Sequence, residues 1–347
     1  MKNKSRLLRK IVGIDVSMDT FTACFAALNL EMEKNFSKVF EFSNDLKGFK
    51  GLLRAMEKID VFRSSDQEEN PPRVCFVLEA TGVYYEDLAY FLRESGYQIS
   101  VVVPNKTKNH AKALKQKSKT DKLDAGKLAT YGLERELTLW EIPYRIMKEL
   151  KALTREYSSL KDMKTEVMNR IHAQKHSHQP LKEILKRHEQ IIRLYEKQMK
   201  VVLQQIKDLV KTDEELNRKI KKIMTIDGVG FITVVIVISE TNGFSTIRNS
   251  KQLASYAGYD VVINDSGKKK GKQSISHQGN SHLRASVYMP ALSAIQHNET
   301  LKKFYERLLA KNKLKMVALI AVARKLLLLI YTLWKKDEEY NPAYNVA

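Results

Sequence analysis

Cysteine is nearly absent from this 347-residue chain: Cys24 and Cys75 are the only two, and both sit inside apolar, strand-like runs. That scarcity excludes a disulfide framework and fits buried thiols in a reducing compartment. Acidic residues are also in short supply, with 40 Asp and Glu against 60 Lys and Arg, giving a formal net charge of +20. A cation surplus of this size points to a polyanionic partner, either nucleic acid or an anionic membrane. No apolar stretch of signal-peptide length follows the basic start MKNKSRLLRKIVGIDV. The one long apolar run, Met316 to Trp334, carries Arg324 and Lys325 at its centre, where charge is most costly in a bilayer. It is expected to be a buried packing helix, and the protein to be soluble and cytoplasmic with no membrane partner.

The pattern that is present falls into three stretches. KIVGIDV, TFTACFAAL and KVFEFSN read as strands, the second β-branched and aromatic, the third alternating apolar and polar residues. Leu46, Phe49, Leu52, Leu53 and Met56 then recur at helical spacing. After the polar, proline-bearing VFRSSDQEENPPR come a strand VCFVLEA, a helix near Tyr84 to Glu94, a strand QISVVV and further helices. Three early strands followed by alternating helix and strand predict a mixed sheet flanked by helices over residues 1–140. From Ile146 the apolar positions step by three or four through Leu150, Leu153, Tyr157, Leu160, Met163, Val167 and Ile171. A second seam runs from Ile184 to Leu209 beyond the break at Pro180, so a coiled helical hairpin is expected over 141–222. His172, His176 and His178 gather near its tip, where solvated loop histidines are the plainer reading and a metal site the sharper one. Residues 223–347 read as mainly helical. In them MTIDGVGFITVVIVISE sets two glycines between apolar runs, either a structural turn or a helix-hairpin-helix turn approaching a phosphate.

The carboxylates carry the chemistry. Asp15 closes the first apolar strand and Glu79 closes VCFVLEA, and an acid at the end of an apolar strand costs desolvation unless paired. In KQKSKTDKLDAGKLA, Asp121 and Asp124 stand three apart, on one face of a helix, in a lysine-rich setting. Singly, Asp15 or Asp19 could cap the turn DVSMD, Glu79 could begin a helix, and Asp121 could be an N-cap. Together, four acids from three elements would repel one another unless divalent cations neutralise them, and oxygen-only ligands suit magnesium or manganese. Paired ions of that kind serve phosphodiester chemistry. Downstream, NDSGKKKGKQSISHQGNSHLR is basic, polar and glycine-containing, either a solvated loop or a phosphate-facing one.

At this point the chain resembles a known family. GIDVS, LEATGVY, VVPNKTKNHAKA and KTDKLDAGKLA look like the N-terminal domain of DEDD-type insertion-sequence transposases, a domain similar to the RuvC resolvase with an RNase H-like fold. IDGVGFITVVIVISE, LASYAGY, SGKKKGKQSISHQGNSHLRASVYMPALSA and AVARKLLLLIYTLW look like the same family's C-terminal transposase domain. The resemblance implies that Asp15, Glu79, Asp121 and Asp124 bind magnesium, and that a C-terminal serine is the nucleophile forming a transient link to DNA. Ser266 best matches that position, with Ser276 as second choice. It further implies DNA as substrate, a structured guide or bridge RNA as partner, and a homodimer or homotetramer that handles several DNA ends. Lys268, Lys269, Lys270, Lys272 and Arg284 would hold the nucleic-acid backbone. The chain departs from the family's usual pattern at Asp227, often Pro, at YDVV, and at His277. Two other readings stand beside this one: a structure-selective endonuclease using metal-activated water, and a non-catalytic nucleic-acid scaffold.

Overall fold

A computed structural model describes residues 6–63, 72–80, 82–113, 121–262 and 274–342, with the side chains of 121–123 excluded. It divides into two compact units, Met1–Ile142 and Pro143–Ala347.

The first unit is built on one five-stranded sheet. β1 (Leu7–Val16), β2 (Thr20–Asn29) and β3 (Lys34–Ser43) form an antiparallel meander, followed by helix α1 (Leu46–Lys58). Then come β4 (Val74–Glu79), α2 (Glu86–Glu94), β5 (Gln98–Val102), α3 (Pro104–Ala113) and α4 (Asp121–Glu134). The strand order is β3-β2-β1-β4-β5, with β1, β4 and β5 parallel. This mixed sheet with flanking helices is the RNase H-like arrangement that the sequence predicts.

Two apolar layers cover the sheet. Val12, Ile14 and Val16 join Phe21, Phe25, Phe49 and Leu88 on one face, beneath α1 and α2. Ile11, Cys24, Ala26, Cys75 and Val77 meet Ala125, Leu128, Ala129 and Leu133 of α4 on the other. β2 is buried on both faces, which explains its near-continuous apolar sequence, whereas edge strand β3 alternates. Burial pushes the Cys75 thiol up to about 12 and raises that of Cys24, so both cysteines are inert core residues.

The second unit is helical. α5 (Arg145–Lys175) and α6 (Lys182–Lys211) form the long hairpin, joined through 176–181, so the proline marks its tip as expected. Beyond it lie α7 (Glu214–Ile223), α8 (Phe231–Glu240) and α9 (Ser250–Ala257). The pair β6 (Val261–Val262) and β7 (Ser274–Ile275) comes next. The chain continues through α10 (Ser281–Ser286), α11 (Tyr288–His297), α12 (Glu299–Ala310) and α13 (Lys315–Lys336). The short β6–β7 ladder was not legible in the sequence, where the stretch reads as a loop.

One core unites the hairpin base with the C-terminal helices: Leu150, Ile206, Val235, Ile238, Leu253, Leu326 and Ile330 all belong to it. α13 is long and apolar enough to cross a membrane by length and composition, yet Val322, Ala323, Leu326, Leu327 and Ile330 are buried in this core. Lys325, one of its two central cations, lies over the Phe304 ring at 4.9 Å.

The glycine turn before α8 has a structural occupant. Gly228 holds φ +91°, and a β-carbon there would come within 2.7 Å of the Ala294 backbone nitrogen in α11. The close backbone approach at Gly228 is therefore to a neighbouring helix.

Candidate active site

The acids on the sheet can be placed by register. β1 and β4 are parallel with Ile14 opposite Leu78, so Asp15 and Glu79 each follow the last paired residue, at the same end of neighbouring strands. Side chains alternate along a strand. Ile11 and Val77 face α4, and Asp15 and Glu79 lie four and two residues further on, so they share that face.

α4 reaches the same place through Gly13. A β-carbon on Gly13 would lie 2.2 Å from the Ala129 nitrogen and 2.3 Å from the Ala125 carbonyl oxygen, so helix backbone rests directly on the strand. Gly132, one turn on, sits instead against Ile11 and Val77. Moving forward along α4 thus moves backward along β1, and the first turn of α4 lies toward the strand end that bears Asp15. Asp121 opens that turn, although its side chain falls outside those described. Asp124, immediately before Ala125, is described.

The local partners of these acids are specific. Glu79 accepts a hydrogen bond from the Thr107 hydroxyl of α3 at 3.1 Å. Asp124 pairs with Lys127 at 2.6 Å, one turn along α4, with both side chains largely buried. Among the described residues no three His, Cys, Asp or Glu side chains converge as a metal cage. The donor set nonetheless fits a hard divalent cation in kind, being all carboxylate oxygen, and Lys127 now supplies the positive charge beside Asp124. At the far end of α4, Glu134 binds Lys34 and, at 2.6 Å, His110. Burial pushes Glu134 up, but these two hydrogen bonds outweigh it and hold the carboxyl below its usual range.

In the second unit, Ser266 and Lys268, Lys269, Lys270 and Lys272 lie outside the described residues. Ser276 is described: its hydroxyl donates to Asp260 at 2.6 Å, and its backbone N–H donates to the Asp260 carbonyl at 2.8 Å. Arg284 donates to the Ala257 carbonyl at 2.8 Å, so one guanidinium nitrogen is used to hold the end of α9. His172 and His176 stack with ring centroids 4.3 Å apart at the hairpin tip.

One group that the sequence did not single out is Glu240, the last residue of the mostly apolar α8, only 3% exposed. Arg155 donates to its two oxygens at 2.7 and 3.1 Å, Asn280 donates at 2.8 Å, and the Lys151 ammonium lies 3.6 Å away. Burial pushes the carboxyl up, but Arg155, Lys151 and Asn280 outweigh it and hold Glu240 below the usual carboxylate range. A signal was present in FITVVIVISE, where the one charge ends a mostly apolar helix.

Two family models match this chain in order. The one described as the transposase IS116/IS110/IS902 family matches residues 220–306, and the DEDD transposase model of the IS110 group matches residues 12–180. The chain belongs to the IS110 transposase family. The pilin gene-inverting protein of Moraxella bovis is 29% identical over 95% of this chain and 97% of its own length. The protein of the same name from Moraxella lacunata is 28% identical over the same shares. The transposase of insertion element IS1111A from Coxiella burnetii is 27% identical over 40% of this chain and 38% of its own. The N-terminal family match spans Asp15, Glu79, Asp121 and Asp124, and the C-terminal one spans Ser266, Ser276 and Glu240.

Proposed function

We propose that this transposase cleaves and rejoins DNA strands through Ser266, assisted by magnesium held between Asp15, Glu79, Asp121 and Asp124. The observation that carries the reading is the contact at Gly13. A helix that begins with paired acids crosses a strand that ends in an acid, on the face where a second acid ends the next strand. Magnesium, when bound, supplies positive charge to the attacking and leaving oxygens of a phosphodiester. Asp15 and Glu79 stand on parallel strands of a packed sheet and so offer fixed donors, and Thr107 orients one oxygen of Glu79. The Ser266 hydroxyl oxygen forms its bond to phosphorus as the bridging oxygen of the cut strand leaves. Attack by another strand's terminal hydroxyl on the phosphoserine rejoins DNA and frees the serine.

Lys268, Lys269, Lys270, Lys272 and Arg284 hold the phosphate backbone in this reading, which would make binding strongly salt-dependent. The net charge of +20 supports two polyanions at once, the DNA and a guide RNA that chooses the sites by base pairing. A homodimer or homotetramer in the cytoplasm brings the DNA ends together. Two relatives are named for inverting a gene, and the same strand exchange between inverted sites would give inversion, so that outcome falls within the proposal.

The test uses the full chain with magnesium, the RNA encoded beside its gene, and labelled DNA carrying the element ends. Wild type should give cut DNA and a denaturation-resistant protein–DNA adduct, and both Asp121→Asn and Ser266→Ala should abolish the adduct. Metal-dependent cutting that survives Ser266→Ala without any adduct would replace this reading with hydrolysis by activated water.

A further inference from the structure

Glu240 lies where three parts of the second unit meet. Its carboxylate takes Arg155 and Lys151 from α5, the helix that runs out to the hairpin tip. Its backbone carbonyl accepts from the Tyr256 hydroxyl of α9 at 3.0 Å. Its remaining partner, Asn280, begins α10, with its side-chain oxygen accepting from the Leu283 N–H at 3.0 Å and its own N–H donating to the Tyr256 carbonyl at 2.7 Å.

Asn280 in turn ends the segment that returns from β7. Along it, His277 adopts φ +55° and donates to the Gly258 carbonyl at 3.2 Å, and Ser276 is sewn to Asp260. β6 and β7, which flank the stretch of sequence containing Ser266, are therefore held on a frame fixed by 256–260 and 276–280. Among the described residues, Glu240 is the side chain that bonds both to α5 and to the end of this frame.

A wholly structural ion pair is the competing account. Buried ion pairs can commonly be replaced by apolar residues of like volume with no loss of stability. What a fully hydrogen-bonded carboxylate adds is direction, since each oxygen fixes the angle of a different partner.

We propose that Glu240 is a positioning residue for strand transfer: by orienting Asn280 it holds the frame of residues 256–260 and 276–280, which flanks β6 and β7, in register with α5. This rests on the reading of Ser266 as nucleophile. The chemistry asks for such precision, because a misplacement of about 1 Å in a reacting group can cost on the order of a hundredfold in rate.

The experiment compares Asn280→Ser with wild type in the complete protein–RNA–DNA complex. Serine still caps α10 but cannot reach Glu240 as the amide does. The rate of adduct formation at saturating DNA should fall by about ten- to a hundredfold, with DNA affinity unchanged and the thermal midpoint lowered no further than the loss of one hydrogen bond lowers it. Glu240→Gln, close in size, should slow the same step, and adding Asn280→Ser to it should slow it no further, the signature of one shared contact. Asn280→Ser reacting at the wild-type rate would overturn the proposal, as would losses of rate, affinity and thermal midpoint in parallel. Ser266→Ala run alongside separates the two ideas. An adduct that persists in it overturns the nucleophile assignment, and the positioning role is then judged on the cleavage rate of Asn280→Ser alone.

Discussion

Gly13 and Ala129 meet backbone to backbone: a β-carbon on the glycine would stand 2.2 Å from the alanine nitrogen. This contact fixes how close α4 comes to β1, and with it the distance between the acid at the strand's end and the acids of the helix's first turn. The helix backbone cannot yield as a flexible side chain would. Gly13→Ala should therefore cost at least about 1–3 kcal/mol, the usual penalty of overpacking. It should also lower magnesium-dependent cleavage beyond what the loss of folded protein explains. Urea unfolding alongside cleavage under conditions that keep the variant folded measures both, and an unchanged unfolding midpoint would contradict the close contact.

Lys127 neutralises Asp124 in this structure, so a divalent cation held by Asp124, as proposed above, would compete with its ammonium. Lys127→Met should leave the fold intact and lower the magnesium or manganese concentration needed for half-maximal cleavage. Removing metal with a chelator should stop cleavage in both proteins. A titration midpoint that stays put or rises would show that Lys127 does not compete.

Ser276 is committed to Asp260 through its hydroxyl. Ser276→Ala should retain the protein–DNA adduct and lose about 1 kcal/mol of stability, the usual net worth of a hydrogen bond. If instead the adduct disappears with Ser276→Ala and survives Ser266→Ala, the nucleophile is Ser276 and Asp260 is the group positioned to take its proton.

Glu240 gives a pH dependence with a definite sign. Its carboxyl is held below the ordinary value in the folded protein, so its contribution to stability is present above the unfolded carboxylate pKa of about 4.3. That contribution is lost as the pH falls through the lower folded value. The difference in thermal midpoint between wild type and Glu240→Gln should accordingly be constant near neutrality and narrow in acid. A gap that widens on acidification would contradict the assignment.

The sheet was readable because its signals are local. Alternation in KVFEFSN, the apolar runs of β1, β2 and β4, and the acids that end two of them each lie within about ten residues. The hairpin declared itself by spacing and by Pro180. Glu240 could be seen as an odd charge, but its meaning depends on Arg155, 85 residues earlier, and Asn280, 40 residues later. The glycine turn before α8 admitted both a phosphate and a structural neighbour, and Ala294, which covers Gly228, lies too far along the chain for any local pattern to reveal it. Lys127 looked like one lysine among many in a basic segment, and only the buried geometry singles it out as the partner of Asp124.

The hairpin has a mechanical consequence. From Arg155, where α5 is bonded to Glu240, twenty further residues of helix run to Lys175, a reach of about 30 Å at 1.5 Å per residue. Over such an arm, a tilt of about 10° at the pivot carries the tip through roughly 5 Å. Whatever grips the far end of that arm has leverage on the bonds around Glu240, and a rearrangement of those bonds would be magnified at the tip.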